Sequence, residues 1–160
     1  MLRIGRRLAI DVGQARIGLA ISDFHGILAS PLATVQANED LYSVCSEIMD
    51  VAERDGELLE IYVGIPINLQ GKSTASTLSA LAFAEALANQ TNTPVYLLDE
   101  RLTTSLANAQ LKEVGKSQKD ARSTIDQMAA VAILEYALTV EKQSGQRPGL
   151  EISDWRRENE

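Results

Sequence analysis

The stretch Leu8-Ala9-Ile10-Asp11-Val12-Gly13-Gln14-Ala15-Arg16-Ile17-Gly18-Leu19-Ala20-Ile21-Ser22 decides the fold. Two apolar runs, 8–12 and 17–22, flank a short polar turn closed by Gly13, and so read as consecutive strands. The turn Asp23-Phe24-His25-Gly26 leads to a third strand at about 27–35. Connections this short imply antiparallel pairing, because a parallel return needs a long crossover. Beyond Asp40 the period changes. Leu41, Val44, Cys45, Ile48 and Ala52 follow the spacing of one helix face, so a helix is expected to Arg54 with Cys45 as a small core residue.

Working outward, a buried strand is expected at about 58–63, then a loop from Gly64 to Lys72 and an Ala/Leu-rich helix over 74–90. A short strand, Val95–Leu98, follows Pro94. A helix at about 103–113, a polar loop to Arg122 and a last helix over 124–141 come next. The segment Met128–Leu134 is apolar on every side and should pack deeply. Strands alternating with helices here indicate right-handed parallel crossovers. The chain therefore reads as one domain over 1–141, with 142–160 a flexible extension anchored by Trp155.

Composition removes several chemistries. The 160 residues are 45% hydrophobic and 23% charged, with 15 Lys and Arg against 22 Asp and Glu, a net charge of −7. This is not the field of a protein that coats nucleic acid, although a local basic patch beside bound cations is compatible with it. One cysteine, Cys45, and one histidine, His25, exclude Cys-rich zinc sites and multi-His centres. His25 reads as a surface residue. No apolar run approaches the roughly 18 residues of a membrane span, and the run behind the basic N-terminus stops at Asp11, unlike a secretory signal. A cytoplasmic protein is expected.

Three acids stand out. Asp11 interrupts an apolar strand expected to be central, where an unpartnered carboxylate costs several kcal/mol, on the order of what charge burial demands. It reads either as a strand-end residue bonding the turn at Gly13 or as a ligand. Gly13 and Gly18 allow close backbone approach, and Arg16 supplies a guanidinium suited to phosphate. Asp99-Glu100-Arg101 follows the strand Val95–Leu98, at the edge where open α/β sheets bind ligands, although acids also favour helix starts. Asp126 fits a capping box in Ser123-Thr124-Ile125-Asp126. It also shares a face with Ala129, Ala130 and Ile133, small enough to bring its carboxylate to the sheet edge.

If the three placements hold, Asp11, Glu100 and Asp126 converge. Carboxylates so close cannot all stay ionised without cations. An all-oxygen set selects hard ions, Mg²⁺ or Mn²⁺, and two such ions can activate water and stabilise the leaving oxygen of a phosphodiester. Gly71-Lys72-Ser73 is no nucleotide-cradling loop, since Pro66 stands where the pattern needs glycine. Lys72 can still meet one backbone phosphate, as can Arg16 and Arg101. The stretch Lys112–Arg122, with Lys116 and Lys119, reads as a basic arm for nucleic acid or as a charged surface loop.

Ile10-Asp-Val-Gly-Gln-Ala-Arg-Ile-Gly-Leu-Ala-Ile-Ser-Asp23 resembles the opening motif of the RuvX/YqgF family. Val63-Gly-Ile-Pro-Ile-Asn-Leu-Gln-Gly71, Leu98-Asp-Glu-Arg-Leu-Thr-Thr104 and Ile125-Asp126 with Ala129-Ala130 resemble its later motifs in order, over roughly 8–140. Ala15 departs from the family, which often has lysine there. The resemblance implies a ribonuclease H-like α/β fold: a mixed five-stranded sheet flanked by helices, with antiparallel hairpin strands first and parallel strands after. It implies that Asp11, Glu100 and Asp126 are metal-binding catalytic residues. The implied function is trimming the 5′ end of the small-subunit (16S) ribosomal RNA precursor, or resolving Holliday-junction DNA, by a monomer or weak homodimer. Two other classes stay open. One is a non-catalytic RNA-binding or transcription-associated factor on the same fold; the other is a fragment of an actin-like or sugar-kinase ATPase.

Overall fold

The computed structural model describes residues 2–103 and 118–159, with side chains for all of these except 118–124. Strands β1 (Arg6–Val12), β2 (Arg16–Ser22) and β3 (Ala29–Gln36) form an antiparallel meander. Helix α1 (Leu41–Ala52) leads to β4 (Leu58–Ile65), helix α2 (Ala75–Gln90) and β5 (Val95–Asp99). Strands β4 and β5 run parallel to β1, giving one five-stranded sheet in the order β3-β2-β1-β4-β5. The expected mixed sheet is present, and β1 is its central strand.

Alternation along β1 separates two cores, because successive side chains point to opposite faces. Leu8 and Ile10 join Leu19, Ile61, Val63 and Leu97 in the core under α1 and α2, where Cys45 is fully buried. Burial pushes the Cys45 thiol up to about 11, as suits a packing residue. Ala9 faces the other way, with Ala20, Tyr62 and Leu98, beneath helix α3 (Gln118–Ser144). Alanines on both sides, Ala9 and Ala20 against Ala130 and Ala137, let α3 lie close to the sheet.

At the N-terminal end of β1 this second core holds a charged cluster. Arg7, Glu60 and Glu141 are each no more than 2% exposed. Arg3 Nη2 reaches Glu60 at 2.8 Å and Glu141 at 2.6 Å; Arg7 Nη2 meets Glu141 at 3.3 Å, and the Tyr62 hydroxyl bonds Glu60. The cluster ties β1, β4 and the C-terminal part of α3 together with each buried carboxylate paired.

Three expectations change. Helix α3 begins at Gln118, not near 124, so Asp126 lies two turns inside it and is not a cap. Residues 118–122 are therefore helical instead of loop; the expected helix at 103–113 lies mostly outside the described residues. The segment beyond 142, read as flexible, packs on the domain. α3 continues to Ser144, Leu150 bridges Leu97 in both directions at 2.8 and 3.0 Å, and helix α4 (Ile152–Asn159) buries Trp155 to 6% exposure. The apolar area around Trp155 and the open edge of β5 drive that docking. Among the described residues, no helix is long and apolar enough to cross a membrane.

Candidate active site

Asp11 lies one alternation step beyond Ala9, on the α3 face and toward the C-terminal ends of β1, β4 and β5. Its partner across the hairpin is Gly18, and on the other side Ile10 pairs with Val63, which places Gly64 beside Asp11. Both lateral neighbours on this face thus lack a side chain, and each gap is filled by an acid-bearing segment. A Cβ on Gly18 would sit 2.0 Å from the Asp126 carbonyl oxygen, so the backbone of α3 rests on β2 at this point. A Cβ on Gly64 would sit 2.7 Å from Glu100 Oε1 and 2.5 Å from Ile133 Cδ1. Glu100 opens a short 3₁₀ turn, Glu100–Leu102, and its side chain folds back over Gly64.

The result is a pair plus a neighbour. The Asp11 and Glu100 carboxyls hydrogen-bond each other. Burial, the bond to Asp11 and the charges of Asp11 and Asp99 push Glu100 up to about 9. Burial also raises Asp11, the bond from Glu100 offsets part of that, and the charge of Asp126 adds to it. Glu100 thus keeps a proton near neutrality and donates it to Asp11. Asp126, one strand away, accepts from Arg16 Nε at 2.9 Å.

Among the described residues no three His, Cys, Asp or Glu side chains are gathered as a ready-made metal cage. The donor set nevertheless fits a hard cation. Two carboxylates crowd one another, no described Lys or Arg pairs with either, and a shared proton supplies the missing positive charge.

Arg16, expected to meet phosphate, is engaged with Asp126. Asp99 accepts from Arg101 at Nε (2.9 Å) and Nη2 (2.5 Å), while Nη1 is turned towards Gly71 in the next loop. That loop is closed by Asn68, whose side chain accepts from the Gln70 and Lys72 amides and whose backbone pairs with Lys72 and Gly71. Lys72 is exposed on it. Lys116 and the side chain of Lys119 lie outside the described residues. His25 only stacks edge-on with Phe24.

Gly64 was missed as a site residue by sequence reasoning. It was read as the start of a loop, but β4 runs on to Ile65, and a glycine inside a buried strand often marks close approach. Asp99, read with its neighbours as a charge cluster, acts here by fixing Arg101.

A mixed sheet in this order, with acids meeting at the C-terminal edge of its central strand, defines a protein of the ribonuclease H-like class. The solved structure of Thermus thermophilus RuvC in complex with a Holliday junction substrate superposes with a TM-score of 0.57 at 13% identity, covering 91% of this chain and 99% of that one. The chain belongs to the RuvX family, whose model, described as a Holliday junction resolvase, matches residues 5–140. Among curated relatives, a protein of Clavibacter michiganensis subsp. michiganensis is 45% identical over 148 residues, covering 92% of this chain and 91% of its own. One of Streptomyces avermitilis is 43% identical over 149 residues, covering 92% and 94%. Both carry the name "Putative pre-16S rRNA nuclease".

Proposed function

We propose that this chain is a divalent-metal-dependent nuclease that hydrolyses phosphodiester bonds in the small-subunit ribosomal RNA precursor. The observation that carries the reading is the hydrogen-bonded pair Asp11–Glu100, seated over Gly64 with no described cation paired to either carboxyl. The relatives named for pre-16S rRNA, similar over about nine-tenths of this chain, support that substrate. Asp11 and Glu100 would hold Mg²⁺ or Mn²⁺, with Asp126 the third carboxylate. When bound, such ions supply Lewis-acid stabilisation of the leaving oxygen and a lowered pKa for attacking water.

The chain's own residues set the rest. Glu100 surrenders its shared proton when the pair is loaded, because carboxylate ligands bind metals ionised. Arg16 fixes the Asp126 carboxylate beside the pair. Arg101, held by Asp99, turns Nη1 towards the loop that carries Lys72, so two cations meet the phosphates flanking the scissile one. With the carboxyl pair at the centre, Asp126 beside it and basic groups at the rim, a polyanion is aligned without being held at the reacting bond.

The test is incubation with ribosomal RNA precursor and, in parallel, with four-way DNA junctions, the substrate in the family model's description. Each runs with Mn²⁺ and with chelator. The expected result is Mn²⁺-dependent cleavage of the precursor that Asp11→Asn abolishes while RNA binding persists. Cleavage of junctions alone would move the substrate to DNA. Undiminished cleavage by Asp11→Asn would remove the assignment of the pair.

A further inference from the structure

The C-terminal segment does more than close a sheet edge. Between it and β5 lies a cavity of about 330 Å³, within the size range of small-ligand sites. Its walls are mainly apolar and aromatic: Ile67, Leu97, Leu98, Leu102, Tyr136 and Trp155. The outer wall is Pro148-Gly149-Leu150, pinned by the Leu150–Leu97 bridge and by Arg147, whose guanidinium lies 3.5 Å above the Tyr96 ring. Gly149 adopts φ +90, and a Cβ there would meet the Leu97 carbonyl at 3.1 Å, so this close apposition calls for glycine.

The cavity borders the turn that carries Glu100. Asp99, Arg101 and Leu102 line it, and Glu100 stands between them in the same turn, with its carboxylate on the other side of the strand end. Charge orders the rim: Arg101 is paired with Asp99 through Nε and Nη2, which leaves Nη1 outside that pair, whereas Glu158 lies within the C-terminal helix. A nucleotide therefore enters with its phosphate towards Arg101 Nη1 and away from Glu158, and with its apolar part inward.

We propose that this cavity receives an unstacked nucleobase of a single-stranded nucleic acid segment, one adjacent to the phosphodiester held at Asp11 and Glu100. This rests on the nuclease reading above. A nucleobase presents a flat π-face to aromatic and aliphatic walls, and such contacts tolerate any sequence. A single-stranded end or junction is thereby favoured over a continuous duplex, whose bases are stacked and cannot enter.

Trp155 is the only tryptophan of the chain and lines the cavity, so its fluorescence reports occupancy. The experiment titrates full-length Asp11→Asn with a short single-stranded RNA, following Trp155 emission and, in parallel, anisotropy of a labelled end. An abasic nucleotide is then walked along the RNA, and the same strand is tested as DNA. The expected result is a saturable emission change that vanishes, with affinity about tenfold lower, when the abasic site reaches one position. Leu102→Glu, at an exposed mouth position, should weaken binding by a similar factor. Leu69→Ala, more exposed still and outside the cavity, should not. Binding by anisotropy with unchanged emission and no position-dependent abasic effect would overturn the proposal, while cleavage by the wild-type protein would leave the nuclease reading standing. Absence of both binding and cleavage would overturn the two together.

Discussion

Glu100→Gln tests the acid pair without any substrate. In the metal-free protein Glu100 titrates at about 9 against 4.5 for an ordinary glutamate, so folding takes up a proton throughout that window. A carboxyl whose pKa is raised by folding contributes its full stability below about pH 4.5 and loses it as pH climbs towards 9. Each pH unit in the window removes about 1.4 kcal/mol. By pH 7, roughly 2.5 units above 4.5, the wild type has lost about 3.5 kcal/mol at this one site. Glutamine keeps the shape, donates to Asp11 and does not titrate. The variant's advantage should therefore grow by about 1.4 kcal/mol per pH unit. Urea unfolding in chelator at pH 5, 6, 7 and 8 reads this directly, because free energy falls linearly with urea. Added Mn²⁺ should flatten the wild-type slope, since it replaces the shared proton, and should leave the variant's curve nearly unchanged. Parallel wild-type and variant curves in chelator would refute the shared-proton pair and the fit to a cation built on it.

Gly18→Ala places a methyl 2.0 Å from the Asp126 carbonyl, a backbone atom that cannot swing aside, so a loss of about 3 kcal/mol or more is expected in thermal or urea unfolding. Gly64→Ala instead displaces the flexible end of Glu100 and the Ile133 tip; Mn²⁺-dependent cleavage should fall at least tenfold while the fold survives, as circular dichroism would check. Glu141→Gln strips the buried Arg7 of its closest carboxylate and should destabilise by about 3 kcal/mol, measured by urea unfolding away from the site's metal dependence.

Much of the architecture is legible locally. The hairpin at 8–22 and the helix stripe from Leu41 to Ala52 rest on period and turn chemistry, and both stand with ends shifted by a residue or two. Asp126 shows the limit. Ser123-Thr124-Ile125-Asp126 carries a valid capping pattern, yet the helix runs through it from Gln118. A cap competes with whatever precedes it, and local pattern cannot weigh that. The tail was misread for a related reason. Gln143 to Gly149 is polar and glycine-rich by composition, but the open edge of β5 and the apolar wall for Trp155 exist only after the sheet has formed.

The sequence alone determined the acids themselves, the order of the five strands and of the first two helices, and the exclusion of Cys-rich zinc sites and multi-His centres, because residue identity and short-range period carry that information. The tertiary structure decided that Asp11 and Glu100 share a proton while Asp126 pairs with Arg16, and that two glycines on the strands flanking β1 open the room for both contacts. Those are distances between segments about 90 to 110 residues apart, set by sheet register and the close packing of one helix, and no local pattern encodes them.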